Sequence, residues 1–259
     1  MNSFRIGLLL TVALHGACMT SNDSKLTVTD GLFNLGDPSV VMIETTDPAT
    51  MVLNRCTAFY VGPSILMTAA HCLVSKDTNE IRYVRTKGKT SLSMVAHRIH
   101  PQYFTEDKID LALVKLEKGD HEPPPLSLSS HVPAPGTRVR LVGFGGNHYG
   151  TNKGEVEGGG VKRFGYTTIA YLDHRYLYSK GHRHWVPSGS SRPTGQQSAL
   201  AKGDSGGPML NDKNEVIGVA SLIHEIENPK DPSEAILVAH TQIAIAQDFV
   251  KKSLDDLNK

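Results

Sequence analysis

The chain has 259 residues, a formal net charge of +1 and 39% hydrophobic residues. That length supports a sizeable core, as one large domain or two packed halves, and the near-zero charge argues against a general polyanion binder such as a nucleic-acid protein. The 24 glycines and 14 prolines suit many short strands joined by turns. Beyond the amino-terminal stretch, no apolar run reaches the roughly 18 residues that a membrane span needs.

Residues 1–17 read as a secretion signal. Arg5 supplies the positive start, Ile6 to Leu14 a short apolar run, and Gly16 and Ala17 the small residues before a cleavage point. Cys18 follows directly, where a bacterial lipoprotein carries its acylated cysteine, although His15 stands where the usual motif has leucine. A lipid anchor on Cys18 and ordinary cleavage beside an odd cysteine both remain open. Residues 18–27 are polar and read as a flexible leader or pro-segment. Strands are expected over 39–43, 55–61, 64–68, 81–86, 92–99 and 110–116, where β-branched and aromatic residues concentrate. His97 and His100 read as surface residues, since a metal site needs a cluster of ligands.

Residues 117–136 hold five prolines and read as an extended linker between two halves. Strands follow over 137–144 and 161–172. Residues 150–160, rich in Gly with Lys and Glu, read as a surface loop; no strand-to-helix context with a Lys-Ser/Thr pair supports a phosphate cradle. Residues 173–198 resist assignment. His174, His182 and His184 fall there without the carboxylate or Cys framework of a metal site, so a solvated loop and no metal are expected. The last strands are expected over 215–222 and 235–243. A helix over about 244–254 follows, with Ile245, Phe249 and Leu254 on one side.

Three motifs carry chemistry. Gly203-Asp204-Ser205-Gly206-Gly207-Pro208 sets a serine in a tight turn whose successive N–H groups can converge on an anion. Alone, that string also admits the reading of an ordinary turn before a strand. Thr68-Ala69-Ala70-His71-Cys72 ends an apolar run with a histidine, and Asp110-Leu111-Ala112-Leu113-Val114-Lys115-Leu116 opens another run with a carboxylate. Serine is a weak nucleophile at neutral pH, so it needs a base, and the base needs an acceptor that orients it. From about residue 28 to the carboxyl terminus, these motifs in the order His71, Asp110, Ser205 resemble the chymotrypsin/trypsin family of serine peptidases.

The resemblance implies an all-β fold: two packed six-stranded antiparallel Greek-key barrels of the chymotrypsin type with a C-terminal α-helix. The first barrel would cover about 28–120 and the second about 136–243. It implies Ser205 as nucleophile, His71 as base and Asp110 as its orienting acceptor. The N–H groups of Gly203 and Ser205 would hold the oxyanion. Asp204 would support that turn, and Ser221 would support Asp110 and start the strand that pairs with substrate. A disulfide joining Cys56 to Cys72 beside the histidine is also implied, and suits a secreted chain. Val28 is either the mature amino terminus, folded inward onto Asp204 after an activating cleavage, or part of a first edge strand. Cleavage before Val28 would release the enzyme from any lipid on Cys18.

The family's primary pocket maps onto Ala199, Ile223 and Val238. Ala199 stands where trypsin-like members carry aspartate, so a Lys/Arg preference is not supported. Ile223 stands where an open pocket needs glycine, and Ala220 where some glutamate-specific relatives place a histidine. Small or medium apolar residues are therefore expected before the cut, with Lys202 at the rim favouring nearby acidic residues. The expectation is a secreted, periplasmic or cell-envelope monomer that cleaves peptides or proteins. It needs no cofactor and meets a membrane only through a lipid on Cys18. The alternative is a catalytically silent, peptidase-like binding protein, although such relatives usually lose the histidine or serine. A lipase-type hydrolase is disfavoured, because its histidine comes last in the chain.

Overall fold

The structure is a computed structural model that describes residues 32–33, 37–48, 50–75, 82–87, 91–146, 148–149, 156–157, 159–182, 200–225 and 235–259. Strand β1 (Leu32–Phe33) precedes a first sheet made of β2 (Val40–Thr46), β3 (Leu53–Gly62), β4 (Ile65–Thr68), β5 (Tyr83–Lys87), β6 (Met94–Ile99) and β7 (Ala112–Leu116). A four-residue helix, α1 (Ala70–Leu73), follows β4. All pairings in this sheet are antiparallel, in the order β5-β2-β3-β4-β7-β6, and a bridge between Arg85 and Ser93 brings its two ends together.

The second sheet opens with β8 (Arg138–Gly143). A two-residue hairpin of β9 (His148–Tyr149) and β10 (Val156–Glu157) intervenes. The sheet then continues through β11 (Arg163–Leu172), β12 (Tyr176–His182), β13 (Pro208–Leu210), β14 (Val216–Glu225) and β15 (Ala235–Gln242). Because β8 pairs with both β13 and β11, these six strands close on themselves, and β1 lies along the start of β11. The chain thus forms two six-stranded antiparallel barrels, as the motifs imply.

Strand alternation builds the core. Phe59 on β3, Ile65 and Met67 on β4, and Leu111 and Leu113 beside and within β7 face Val142, Leu210, Val216, Val219 and Ile243 of the second barrel. Their chain neighbours Ala58, Tyr60, Leu66, Ala112 and Val114 turn the other way and fill the first barrel. Successive residues of a strand point to opposite faces, so strands apolar at both parities glue the barrels together and fill one of them. The second barrel is filled by Val139, Leu141, Ile169, Leu177, Met209, Ile217 and Val238.

The helix α2 (Gln247–Leu257) packs Val250 and Leu257 into the inter-barrel core. Phe249 and Leu254 pack against it, but Ile245 does not join them: it lies in a 3-10 turn, Ala244–Ala246, and is 40% exposed. The tighter three-residue period of that turn shifts Ile245 out of phase with the helix face. The proline-rich linker is laced to both halves, through Leu126 N–H to Tyr60 C=O and Ser129 N–H to Val216 C=O. His100 is buried, against the expectation of a surface residue: Phe249 covers it edge-on at 4.7 Å between ring centres, and its Nδ1 accepts the Gln102 N–H. Burial lowers its pKa. His97 is half-buried. Among the described residues no helix is long and apolar enough to cross a membrane.

Candidate active site

Strands β4 and β7 lie side by side, with Thr68 opposite Ala112. Their adjoining ends therefore deliver two side chains to one place: His71, just beyond Thr68 in α1, and Asp110, just before Ala112. The His71 backbone N–H donates to Asp110 Oδ1 at 2.9 Å, and His71 Nδ1 lies 2.6 Å from Asp110 Oδ2. A disulfide between Cys56 on β3 and Cys72 in α1 ties the histidine-bearing helix to its neighbouring strand. The ligand atoms of Cys56, His71 and Cys72 lie within 4.8 Å of one another, but the two sulfurs are bonded to each other and so are not free to take a metal.

Asp110 is 1% exposed and held from the second barrel as well. The Ser221 hydroxyl on β14 donates to Oδ2 at 2.6 Å, and the Thr241 hydroxyl on β15 donates to the Asp110 carbonyl at 3.1 Å. Burial alone would raise this carboxyl; the His71 charge and the hydrogen bonds from His71 and Ser221 outweigh it and hold the group below the usual carboxylate range. An ionised carboxylate only accepts. His71 Nδ1 is therefore the donor of the pair, and Nε2 is the ring nitrogen left to face away from Asp110.

Ser205 comes from the turn before β13. Gly203 and Gly206 on either side take φ of +105° and +83°, angles that favour glycine. Asp204, Gly206 and Gly207 donate their N–H groups to Ala201, Ala220 and Asp204 carbonyls, at 3.0, 2.8 and 2.8 Å. Among the described residues, the N–H groups of Gly203 and Ser205 have no acceptor. Nor does a hydrogen bond join Ser205 Oγ to His71 Nε2; such bonds are often long in unliganded sites.

Beside Ser205 opens a shallow cleft, continuous with solvent, lined by Leu200, Ala201, Ser205, Ala220, Ser221, Leu222, Ile223 and Val238. Ile223 and Val238, foreseen as pocket residues, both line it. Lys202 does not: it is exposed on the turn before Gly203, where its carbonyl accepts the Gly146 N–H at 3.1 Å. Ala199, Val28 and Cys18 lie outside the described residues. Leu200, Ala201 and Leu222 were not anticipated; an apolar pair directly before the glycine turn was the available signal. Asp204 is fully buried, and its carboxylate accepts the N–H groups of Gly145 at 2.7 Å and Ala201 at 2.9 Å.

The sequence profile of one family, described as Trypsin, matches residues 36–245. The chain belongs to the trypsin family. As a member it is a serine endopeptidase, a hydrolase of peptide bonds. It is similar to the cercarial protease of Schistosoma mansoni, with 27% identity over 97% of this chain and 100% of the relative. It is also similar to granzyme M of Homo sapiens, with 30% identity over 62% of this chain and 66% of the relative. Among solved structures, human heparin binding protein superposes with a TM-score of 0.60 and 16% identity, over 87% of this chain and 96% of the other. That likeness concerns the trypsin fold alone.

Proposed function

We propose that this serine endopeptidase cleaves peptide bonds through Ser205, His71 and Asp110. Ser205 Oγ attacks the scissile carbonyl carbon while His71 Nε2 takes its proton. Asp110 holds the imidazole in that tautomer and stabilises the imidazolium that forms. The N–H groups of Gly203 and Ser205 receive the negative charge of the tetrahedral intermediate. Collapse breaks the C–N bond, the amine leaves with the proton from His71, and water then releases the acyl group by the same steps. The observation that carries this reading is the Ser221–Asp110–His71 chain of contacts beside two open N–H donors on the Ser205 turn.

The cleft supports a preference for small or medium apolar residues before the cut. Among the described residues its lining, which includes Ala201, Ala220, Ile223 and Val238, carries no charged side chain to pair a lysine or arginine, whose burial there would be costly. Peptide backbone would pair alongside β14 from Ser221 onward, as an added strand. The disulfide suits an oxidising compartment and therefore a secreted enzyme.

Reaction with a fluorophosphonate, followed by intact mass, tests the assignment. One adduct is expected on the wild-type chain and none on Ser205→Ala. Folded protein that never reacts would favour a silent binding protein, a role consistent with a fold shared with a protein named for heparin binding.

A further inference from the structure

Asp204 buries a carboxylate directly before the proposed nucleophile. Its oxygens accept the Gly145 and Ala201 N–H groups, so they tie the start of the Ser205 turn to the loop after β8. Two amide dipoles do not supply a unit charge, and a buried carboxylate without a cation is strongly destabilising.

The register of β8 and β11 places that cation. Arg163 stands directly opposite Gly143, and directly opposed residues project from the same face of a sheet. That face is where the Asp204 carboxylate rests: a Cβ on Gly143 or on Gly145 would overlap the Asp204 oxygens. Arg163 is 4% exposed and lies at the inward parity of β11, in phase with buried Gly165, Thr167 and Ile169. One of its nitrogens donates to the Val161 carbonyl at 3.2 Å. Among the described residues Arg163 is the charged side chain that acts on Asp204. The loop after β8 offers Gly143, Phe144 and Gly145, β3 offers Thr57, and β4 offers Thr68, none of which titrates. Neighbouring Lys162 is engaged with the Asp37 carbonyl, and Lys202 is exposed.

We propose that Arg163 is a positioning residue, a built-in counter-ion that holds Asp204 and the Gly203–Ser205 turn in their anion-binding arrangement without a newly cut amino terminus. The inference rests on the reading of Ser205 as nucleophile.

The test compares the complete chain carrying an amino-terminal tag with the same chain cut before Val28. Each is reacted with a fluorophosphonate over a range of pH, as wild type, Arg163→Gln and Arg163→Lys. The two wild-type forms are expected to react at rates within about twofold, since neither lacks an oxyanion donor. Arg163→Gln slows the reaction about tenfold or more, and Arg163→Lys restores most of it. Burial pushes the Asp204 carboxyl up to about 6, against the pull of its two N–H donors and Arg163. Losing the arginine therefore moves the acid limb of the rate to higher pH, by about one unit or more, which a purely structural lesion would not do. A tagged wild type that is inert while the cut form reacts would overturn the proposal, as would an Arg163→Gln variant with an unchanged rate and pH profile. If Arg163→Gln fails to fold, the two wild-type forms decide alone. If neither wild-type form reacts, the nucleophile reading falls, and this inference with it.

Discussion

The backbone N–H of Thr57 donates to the carbonyl of Ser205 across 2.8 Å, joining a strand of the first barrel to the proposed nucleophile of the second. The same residue's hydroxyl donates to the Gly203 carbonyl at 2.9 Å and accepts the Phe144 N–H at 3.1 Å. Thr57→Val keeps the shape but leaves a buried carbonyl and N–H unpaired, at a cost of about 1–3 kcal/mol. Because the Gly203 carbonyl belongs to the turn that presents the open N–H groups, kcat is expected to fall about tenfold with KM little changed. Thr57→Ser retains the hydroxyl and should behave nearly as wild type. Steady-state kinetics and a urea melt on both variants check this.

Asp110→Asn should separate charge from geometry. The amide nitrogen can donate to His71 Nδ1, which moves the imidazole proton to Nε2 and removes the lone pair that accepts from Ser205. A loss of about four orders of magnitude in kcat at neutral pH is expected. A variant within tenfold of wild type would sink the assigned role.

His240 predicts an acid-sensitive stability. It is fully buried on β15, with Nε2 3.1 Å from the Ser179 hydroxyl, and burial pulls its pKa from 6.5 down to about 3. The unfolded chain gains a proton near 6.5 that the folded chain refuses until about 3. The contribution is present in full above 6.5 and is lost as pH falls through that window, amounting to roughly 5 kcal/mol if acidification reaches its lower end. Asp204 acts oppositely: with its carboxyl raised from 3.8 to about 6, the folded chain holds the extra proton, and stability falls as pH rises between those values. Comparing urea midpoints of wild type and His240→Gln at pH 7 and pH 4.5 isolates the histidine. The variant should lose less on acidification; parallel losses would refute the assignment.

Ile223 lines the cleft and is 39% exposed. Ile223→Gly widens the cleft mouth. The ratio of kcat/KM for peptides with phenylalanine before the cut to those with alanine should rise about tenfold. An unchanged ratio, measured on a matched peptide series, would mean that the side chain before the cut binds elsewhere.

Much of this fold was legible because its strands repeat every two residues, and the residues of the proposed triad sit in short contiguous strings. His71, Asp110 and Ser205 each announced themselves through neighbours in sequence. What was not legible depended on partners distant in the chain. His100 looked like a surface residue because Phe249, which covers it, lies far along the sequence. β12 was missed because Lys180 and Gly181 obscure its pattern, and its strand character comes from lying between β11 and β15. β13 is three residues long, too short to show a period. Arg163 did leave a sign, a cation in phase with the inward residues of β11, but its counterpart Asp204 could be matched to it only through the β8–β11 register.

The shared apolar seam between the barrels has a consequence for the cell that makes the enzyme. His71 and Asp110 belong to one barrel, Ser205 and Ser221 to the other, and Asp110 is clasped from both sides of the seam. A nascent or partly unfolded chain, with either barrel formed and the other not, holds half of the proposed machinery. On the proposed triad, cutting power therefore requires both halves to be closed on each other, and a molecule with one barrel unformed is inert toward its neighbours.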